Sequence, residues 1–188
     1  MAQTPSEMLA LGTPAPDFSL PEVTSGETIS LKNFEDKSAL LVMVICNHCP
    51  FVVHVREELA RIGRDYADKD LGILAVSAND AESYPDDAPD HLAAMAKSLG
   101  FTFPFVCDEP QSFVKALHAA CTPDFFLFDE SRKLVYRGRL DGSRPGNDIP
   151  VTGADLRTAL DAQLSGAQIP QDQLPSIGCN IKWSKPST

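Results

Sequence analysis

Leu40-Leu41-Val42-Met43-Val44-Ile45-Cys46-Asn47-His48-Cys49-Pro50-Phe51 is the stretch that decides how the chain is read. An apolar run of strand length ends in a Cys-x-x-Cys, and the second cysteine opens a helical pattern. Val52, Val55, Leu59, Ile62 and Tyr66 then recur at three and four residues, one stripe of an amphipathic helix running from about Cys49 to Tyr66. The unit is therefore strand, tight turn and helix, with two thiols at the junction. Cys46 falls just ahead of the helix, where unpaired N–H groups and the helix dipole favour negative charge. A thiolate there is the nucleophilic form of cysteine. Cys49 lies one helical turn further, placed to attack a mixed disulfide on Cys46 and release its product. The chemistry this spacing points to is thiol–disulfide exchange, with Cys46 attacking and Cys49 resolving.

Outward from this stretch, the apolar run from Ala39 to Ile45 reads as a strand covered on both faces of a sheet. Before it, Phe18 and Leu20 alternate with polar neighbours, as do Ile29 and Leu31, and Ser25-Gly26 predicts a hairpin turn between them. After it come a second buried strand (Leu71 to Ser77), a polar loop with at most a helical turn (Asn79 to Pro89), and a helix from Asp90 to Leu99 stopped by Gly100. Phe103 to Cys107 is a short strand. Asp108 is a candidate cap for a helix from about Pro110 to Ala119, with Pro110 tolerated in the first turn. Phe125 to Phe128 and Leu134 to Tyr136 flank a hairpin signal, and Asp155 to Leu164 is the last helix. Alternating strands and helices imply an α/β domain, a central sheet with helices on both faces and the reactive loop at a strand's carboxyl end. The expected divisions are a flexible N-terminal arm (1–9), one domain (10–164) and an extended, wrapping C-terminal tail (165–188).

Composition narrows the function classes. The 188 residues suffice for one proper core, and 43% hydrophobic residues is ordinary for a globular protein. Sixteen basic against 26 acidic residues give a net charge of −10 with no basic block, which argues against a nucleic-acid partner. No secretory leader and no run of membrane-spanning length is visible, so a cytoplasmic protein without a membrane partner is expected. Five cysteines (46, 49, 107, 121 and 179) are an odd number, against a full structural disulfide framework.

Taken together, these segments resemble the thioredoxin-like superfamily, in its redoxin (AhpC/TSA and TlpA-type) branch. The matching stretches are Ala15-Pro16-Asp17-Phe18-Ser19-Leu20, Cys46-Asn47-His48-Cys49-Pro50, Phe103-Pro104-Phe105-Val106-Cys107-Asp108 and Thr122-Pro123-Asp124-Phe125-Phe126-Leu127-Phe128-Asp129, in that order. The tail segment Pro175-Ser176-Ile177-Gly178-Cys179-Asn180-Ile181-Lys182-Trp183 resembles a peroxiredoxin-like subgroup. The resemblance implies a thioredoxin-like fold in which Pro123 is a cis-proline facing Cys46 and Cys49. It also implies a thiol or disulfide substrate, protein or small molecule, and no cofactor. The chain departs from the pattern at several positions. Ile45 stands where thioredoxins have tryptophan, and Leu40 replaces their buried carboxylate, which leaves the base for Cys49 unidentified. Peroxiredoxins align their reacting cysteine with Cys49, but their threonine and proline are replaced here by Cys46 and Val42.

Other candidates carry more than one reading. The Cys46–Cys49 pair is a redox dithiol, a pair of buried reduced thiols, or half of a zinc site. His48, placed as in the CPHC loop of DsbA-type proteins, is either a cation that stabilises the Cys46 thiolate or a solvated turn residue. Cys121 is a resolving thiol, a metal ligand or an apolar filler, and Cys179 a resolving or metal-binding thiol brought in by the tail. Cys107 reads as core. A metal-binding or delivery protein using Cys46, Cys49, Cys121 and Cys179 and a thiol peroxidase are the rival functions. The 141–148 loop reads as a turn in which Arg144 could meet an anionic substrate, and Asp86, Asp87 and Asp90 as a solvated acidic face.

Overall fold

The computed structural model describes residues 3–185; residues 1–2 of the expected arm and 186–188 of the tail lie outside it. In chain order the elements are β1 (Thr4–Pro5), β2 (Ser19–Pro21), β3 (Thr28–Ser30), β4 (Ala39–Val44), α1 (Pro50–Asp65), β5 (Leu71–Ser77) and α2 (Pro89–Leu99). There follow β6 (Phe105–Cys107), α3 (Ser112–Ala116), β7 (Cys121–Thr122), β8 (Asp124–Asp129), β9 (Leu134–Gly138), α4 (Ala154–Ser165) and β10 (Ile177–Asn180). The main sheet has the order β6-β5-β4-β8-β9. β4 at its centre pairs parallel with β5 and antiparallel with β8, so the sheet is mixed. This is the thioredoxin-like α/β architecture that the sequence implies.

Both faces of β4 are buried, which is why its sequence is apolar without alternation. Leu41 and Met43 pack on one side with Val52, Val55 and Leu59 of α1, Leu92 and Met95 of α2, and Leu156 and Leu160 of α4. Leu40, Val42 and Val44 pack on the other with Phe113 and Val114 of α3 and with Phe18, Leu20 and Phe34 of the N-terminal hairpin region. α2 ends at Gly100, which takes the left-handed conformation (φ +66°) that closes a helix. α3 is shorter than expected. The Asp108 carboxylate does accept the Val114 N–H (2.8 Å), but Gln111 turns left-handed (φ +63°) as its buried amide reaches the Ala78 carbonyl (2.7 Å), so helix starts only at Ser112. No helix among the described residues is long and apolar enough to cross a membrane.

The tail lies against the domain as a strand. β10 sits between β1 and β7, antiparallel to both, with Gly178 opposite Thr4 and Cys179 opposite Thr122. The N-terminal segment is thereby paired where the sequence alone reads as a loose arm: two residues of β1 gain partners only because the distant tail supplies them. At Gly178 any Cβ would run into the Thr122 carbonyl, which fixes glycine at this crossing. Replacing it by alanine forces backbone apart in a packed interior, at a cost of about 1–3 kcal/mol. Urea unfolding of Gly178→Ala is expected to show a loss of that size; a change below about 0.5 kcal/mol, the range of an ordinary surface substitution, would contradict the packing.

Candidate active site

The two cysteines sit where the end of β4 turns into α1. Cys49 is the residue that caps α1 and Pro50 occupies the first helical position, where its missing N–H is not needed and its fixed φ suits the helix. Cys46 and Cys49 are both free thiols and both fully buried. Facing them is the Thr122–Pro123 peptide, which is cis. The Thr122 hydroxyl lies 3.4 Å from Cys46 Sγ, and the Thr122 carbonyl accepts the Cys49 S–H at 3.2 Å when both thiols carry their protons. A cleft beside them is lined by Phe51, Pro123, Phe125, Arg139, Arg144 and Pro175.

A carboxylate that the sequence reading assigned to a solvated face organises the loop. Asp86 and Asp90 are exposed, but Asp87 is 1% exposed. Its Oδ1 accepts the backbone N–H groups of Asn47 (2.7 Å) and His48 (3.1 Å), and its Oδ2 accepts the Asn79 amide (2.7 Å). The same oxygen is 2.5 Å from His48 Nδ1. That bond places the neutral ring's hydrogen on Nδ1 and its lone pair on Nε2. Tyr84 stacks on the imidazole with centroids 5.4 Å apart, and Asn79 passes the network to the tail by accepting the Lys182 N–H (2.8 Å). His48 is thus a partly buried, oriented side chain rather than a solvated one. The sequence reading placed Asp87 on a solvated face, took Thr122 only as the residue before Pro123, and gave Asn79, Tyr84 and Lys182 no role in the site. Only the paired Pro85 and Pro89 around Asp87 hinted at a fixed turn, and nothing local distinguishes Asp87 from Asp86.

The dithiol is electrostatically unequal. Interaction with the Cys46 thiol draws the Cys49 pKa down to about 4 against the opposing effect of burial, helped by the side chains of Thr122 and Cys179 and the first-turn Val52 N–H. The Cys46 thiol is pushed well up by that same interaction, by burial and by the Asp87 carboxylate. The two sulphurs thus share one proton and titrate as a pair, Cys49 drawn toward the thiolate and Cys46 toward the thiol. The sequence expectation put the thiolate on Cys46; in the structure it is Cys49 that caps the helix, and Asp87 opposes charge at Cys46.

The remaining candidates separate. Cys121 is fully buried, its thiol pushed up chiefly by desolvation, and its Sγ is 3.8 Å from the Pro123 carbonyl. Cys107 is buried at the end of β6 and raised to about 11, also by desolvation. Cys179, on β10, lies in the same buried cluster as Cys46 and Cys49. Among the described residues the four cysteines do not gather into one compact donor set; the set that does is Cys46, His48 and Asp87, whose donor atoms lie within 4.8 Å of one another. Two of those three groups are already bonded to each other. His54 holds α1 to the 141–153 loop through Ser143 Oγ (2.7 Å), while Arg144 lines the cleft beside Pro123.

Two outcomes follow. Asp87→Ala leaves several inward-facing donors without an acceptor, each worth roughly 1–3 kcal/mol when stranded, so urea unfolding should show a loss on the order of 3 kcal/mol. The ultraviolet absorbance of a thiolate should be present in the reduced protein at neutral pH, disappear as pH falls through about 4, and be missing at neutral pH from Cys49→Ser. Linkage has the same sign. Between about 4 and the ordinary cysteine value of 9.0, the unfolded chain binds a proton that the native Cys49 does not, so this contribution to stability grows with pH and is lost toward acid.

The redoxin family model matches residues 10–156. Among solved structures, an uncharacterized conserved protein from Geobacillus kaustophilus is 50% identical, with 100% of this chain and 99% of that one covered and a TM-score of 0.96. A hypothetical protein from Sinorhizobium meliloti 1021 is also 50% identical, with 96% and 98% covered and a TM-score of 0.94. A thiol:disulfide interchange protein of the thioredoxin family from Chlorobium tepidum TLS, 19% identical with 82% and 98% covered, shares the fold at a TM-score of 0.63. No curated protein matches the chain. With the family model spanning most of its length, and a buried dithiol at the end of the central strand, the chain belongs to the redoxin family of the thioredoxin-like superfamily and carries a thiol-based redox function.

Proposed function

We propose that the protein is a thiol–disulfide oxidoreductase that exchanges a Cys46–Cys49 disulfide with a protein or small-molecule thiol. The observation that carries this reading is the unequal dithiol facing the cis Thr122–Pro123 peptide, one sulphur drawn toward the thiolate and the other held as a thiol. In the reductive direction the Cys49 thiolate attacks a substrate disulfide, forming a mixed disulfide and expelling one substrate thiolate. Cys46 then gives up its proton and attacks Cys49 Sγ, and the second substrate sulphur leaves with that proton. One S–S bond is broken in the substrate, one is formed in the protein, and two electrons pass to the substrate. Asp87 fixes the loop that carries Cys46 and aims the His48 ring, while Pro123, Phe51 and Arg144 shape the approach. Because both sulphurs are buried, an external partner reaches them only after local opening of the loop.

Turnover of a protein or glutathione disulfide by pre-reduced protein tests this. Cys49→Ser, and Cys46→Ser combined with Cys179→Ser, should each abolish turnover, and the combined variant should retain a mixed disulfide on Cys49 that mass spectrometry detects. Unchanged turnover in both variants would defeat the assignment. A mixed disulfide found instead on Cys46 of Cys49→Ser would exchange the two roles.

The Cys49 thiolate also favours a second reading, thiol peroxidase, because the resemblance aligns the peroxiredoxins' reacting cysteine with this position. Hydrogen peroxide consumption with a thiol donor separates the two: turnover that depends on Cys49 and exceeds disulfide reduction would select the peroxidase.

A further inference from the structure

Cys49 has a second thiol at its side. The register of β10 on β7 sets Cys179 opposite Thr122, the residue whose carbonyl accepts the Cys49 S–H at 3.2 Å. α1, capped by Cys49, packs on β10. Cys179 is 5% exposed and belongs to the same buried cluster as the Cys46–Cys49 pair. Cys49 interacts with both Cys46 and Cys179, whereas Cys46 does not interact with Cys179, and the three do not close into a compact trio.

The strand that carries Cys179 is held from both ends and both sides. Gly178 and Ile177 pair with β1, the Ser6 N–H donates to the Ser176 carbonyl (2.9 Å) and the Ser176 N–H to Ser6 Oγ (2.9 Å). Beyond Cys179, the Ile181 N–H bonds the Ala120 carbonyl (3.2 Å) and the Lys182 N–H bonds Asn79, which itself holds Asp87. A cysteine serving only as filler needs none of this alignment with the reactive pair.

We propose that Cys179 is an alternative disulfide partner of Cys49, so that an oxidised Cys46–Cys49 pair can pass its bond to Cys49–Cys179. The inference rests on the dithiol reading above. In the exchange, Cys179 loses its proton and its sulphur attacks Cys49 Sγ, forming the Cys49–Cys179 bond and breaking the Cys46–Cys49 bond. Cys46 leaves and takes up the proton. The number of disulfides is unchanged, and no outside oxidant or reductant takes part. Electrostatics favour that proton transfer in one respect and slow it in another. Cys46 sits beside Asp87 and holds a proton readily once released, while burial pushes the Cys179 thiol up, so exchange is driven by proximity rather than by a free thiolate. The product staples the tail strand to the start of α1.

The test is disulfide mapping of the full chain after equilibration in graded glutathione buffers, with acid quenching, alkylation of free thiols and peptide mass spectrometry. Cys46→Ser is expected to yield a Cys49–Cys179 linked peptide as its main oxidised form, and Cys179→Ser to retain Cys46–Cys49. Cys49 of Cys46→Ser found only as a glutathione adduct, with Cys179 alkylated, would overturn the proposal. Circular dichroism checks that the variant is folded, and Cys46→Ala replaces it if it is not. The dithiol reading is judged separately in the unaltered protein: absence of a Cys46–Cys49 peptide there, with Cys49–Cys179 present in Cys46→Ser, would remove that reading and leave Cys179 as the partner of Cys49.

Discussion

The antiparallel register of β4 on β8 is the constraint on which the site depends. Val44 is opposite Asp124, and continuing that register two residues past the end of β4 sets Cys46 opposite Thr122. The ladder itself ends at Val44 and Asp124, and just beyond it Cys46 Sγ lies 3.4 Å from the Thr122 hydroxyl. Thr122 in turn is paired with Cys179 through β7 and β10. A slip of one residue in any of these pairings would turn side chains to the opposite face and separate the sulphurs.

Burial does two things to this site. It raises the cost of charge on any isolated thiol, as at Cys121 and Cys107, which are pushed toward the neutral form. It also strengthens the local interactions that differentiate the reactive pair, because screening by water is lost. The interaction between the two sulphurs then draws Cys49 toward the thiolate and Cys46 toward the thiol, and the buried carboxylate beside Cys46 adds to the difference. Asp87 differs in origin from the strand carboxylate that thioredoxins place before their first cysteine. It comes from the turn after β5 and acts by accepting the backbone N–H groups of the loop as well as the His48 ring.

The tail contributes to the same machinery. By adding β10 between β1 and β7 it brings Cys179 beside Thr122, and through Lys182 it closes the Asn79–Asp87–His48 network from outside. The loop carrying the dithiol is therefore bounded by three segments remote in sequence: the turn at Asp87, the Thr122–Pro123 peptide and the tail strand. Opening for a substrate has to loosen at least one of them.

The sequence by itself determined the central α/β frame. Ala39 to Ile45 and Leu71 to Ser77 read as buried strands because both faces of each are covered, and the stripe from Val52 to Tyr66 read as helix because only one of its faces is. It also placed two thiols at the strand–helix junction, since Cys-x-x-Cys and the apolar run are local signals. What it could not supply were the partners set by long-range pairing. Asp87 looked like its exposed neighbours Asp86 and Asp90, because burial of one carboxylate out of three depends on where a turn lands against Asn47 and His48. The difference between Cys46 and Cys49 depended on how closely the two sulphurs meet and on the burial of Asp87 beside Cys46, and only the tertiary structure decided both. The pairing of β1 with β10, and of Cys179 with Thr122, joins the two ends of the chain to the site, and no local pattern encodes a register between segments more than 50 residues apart.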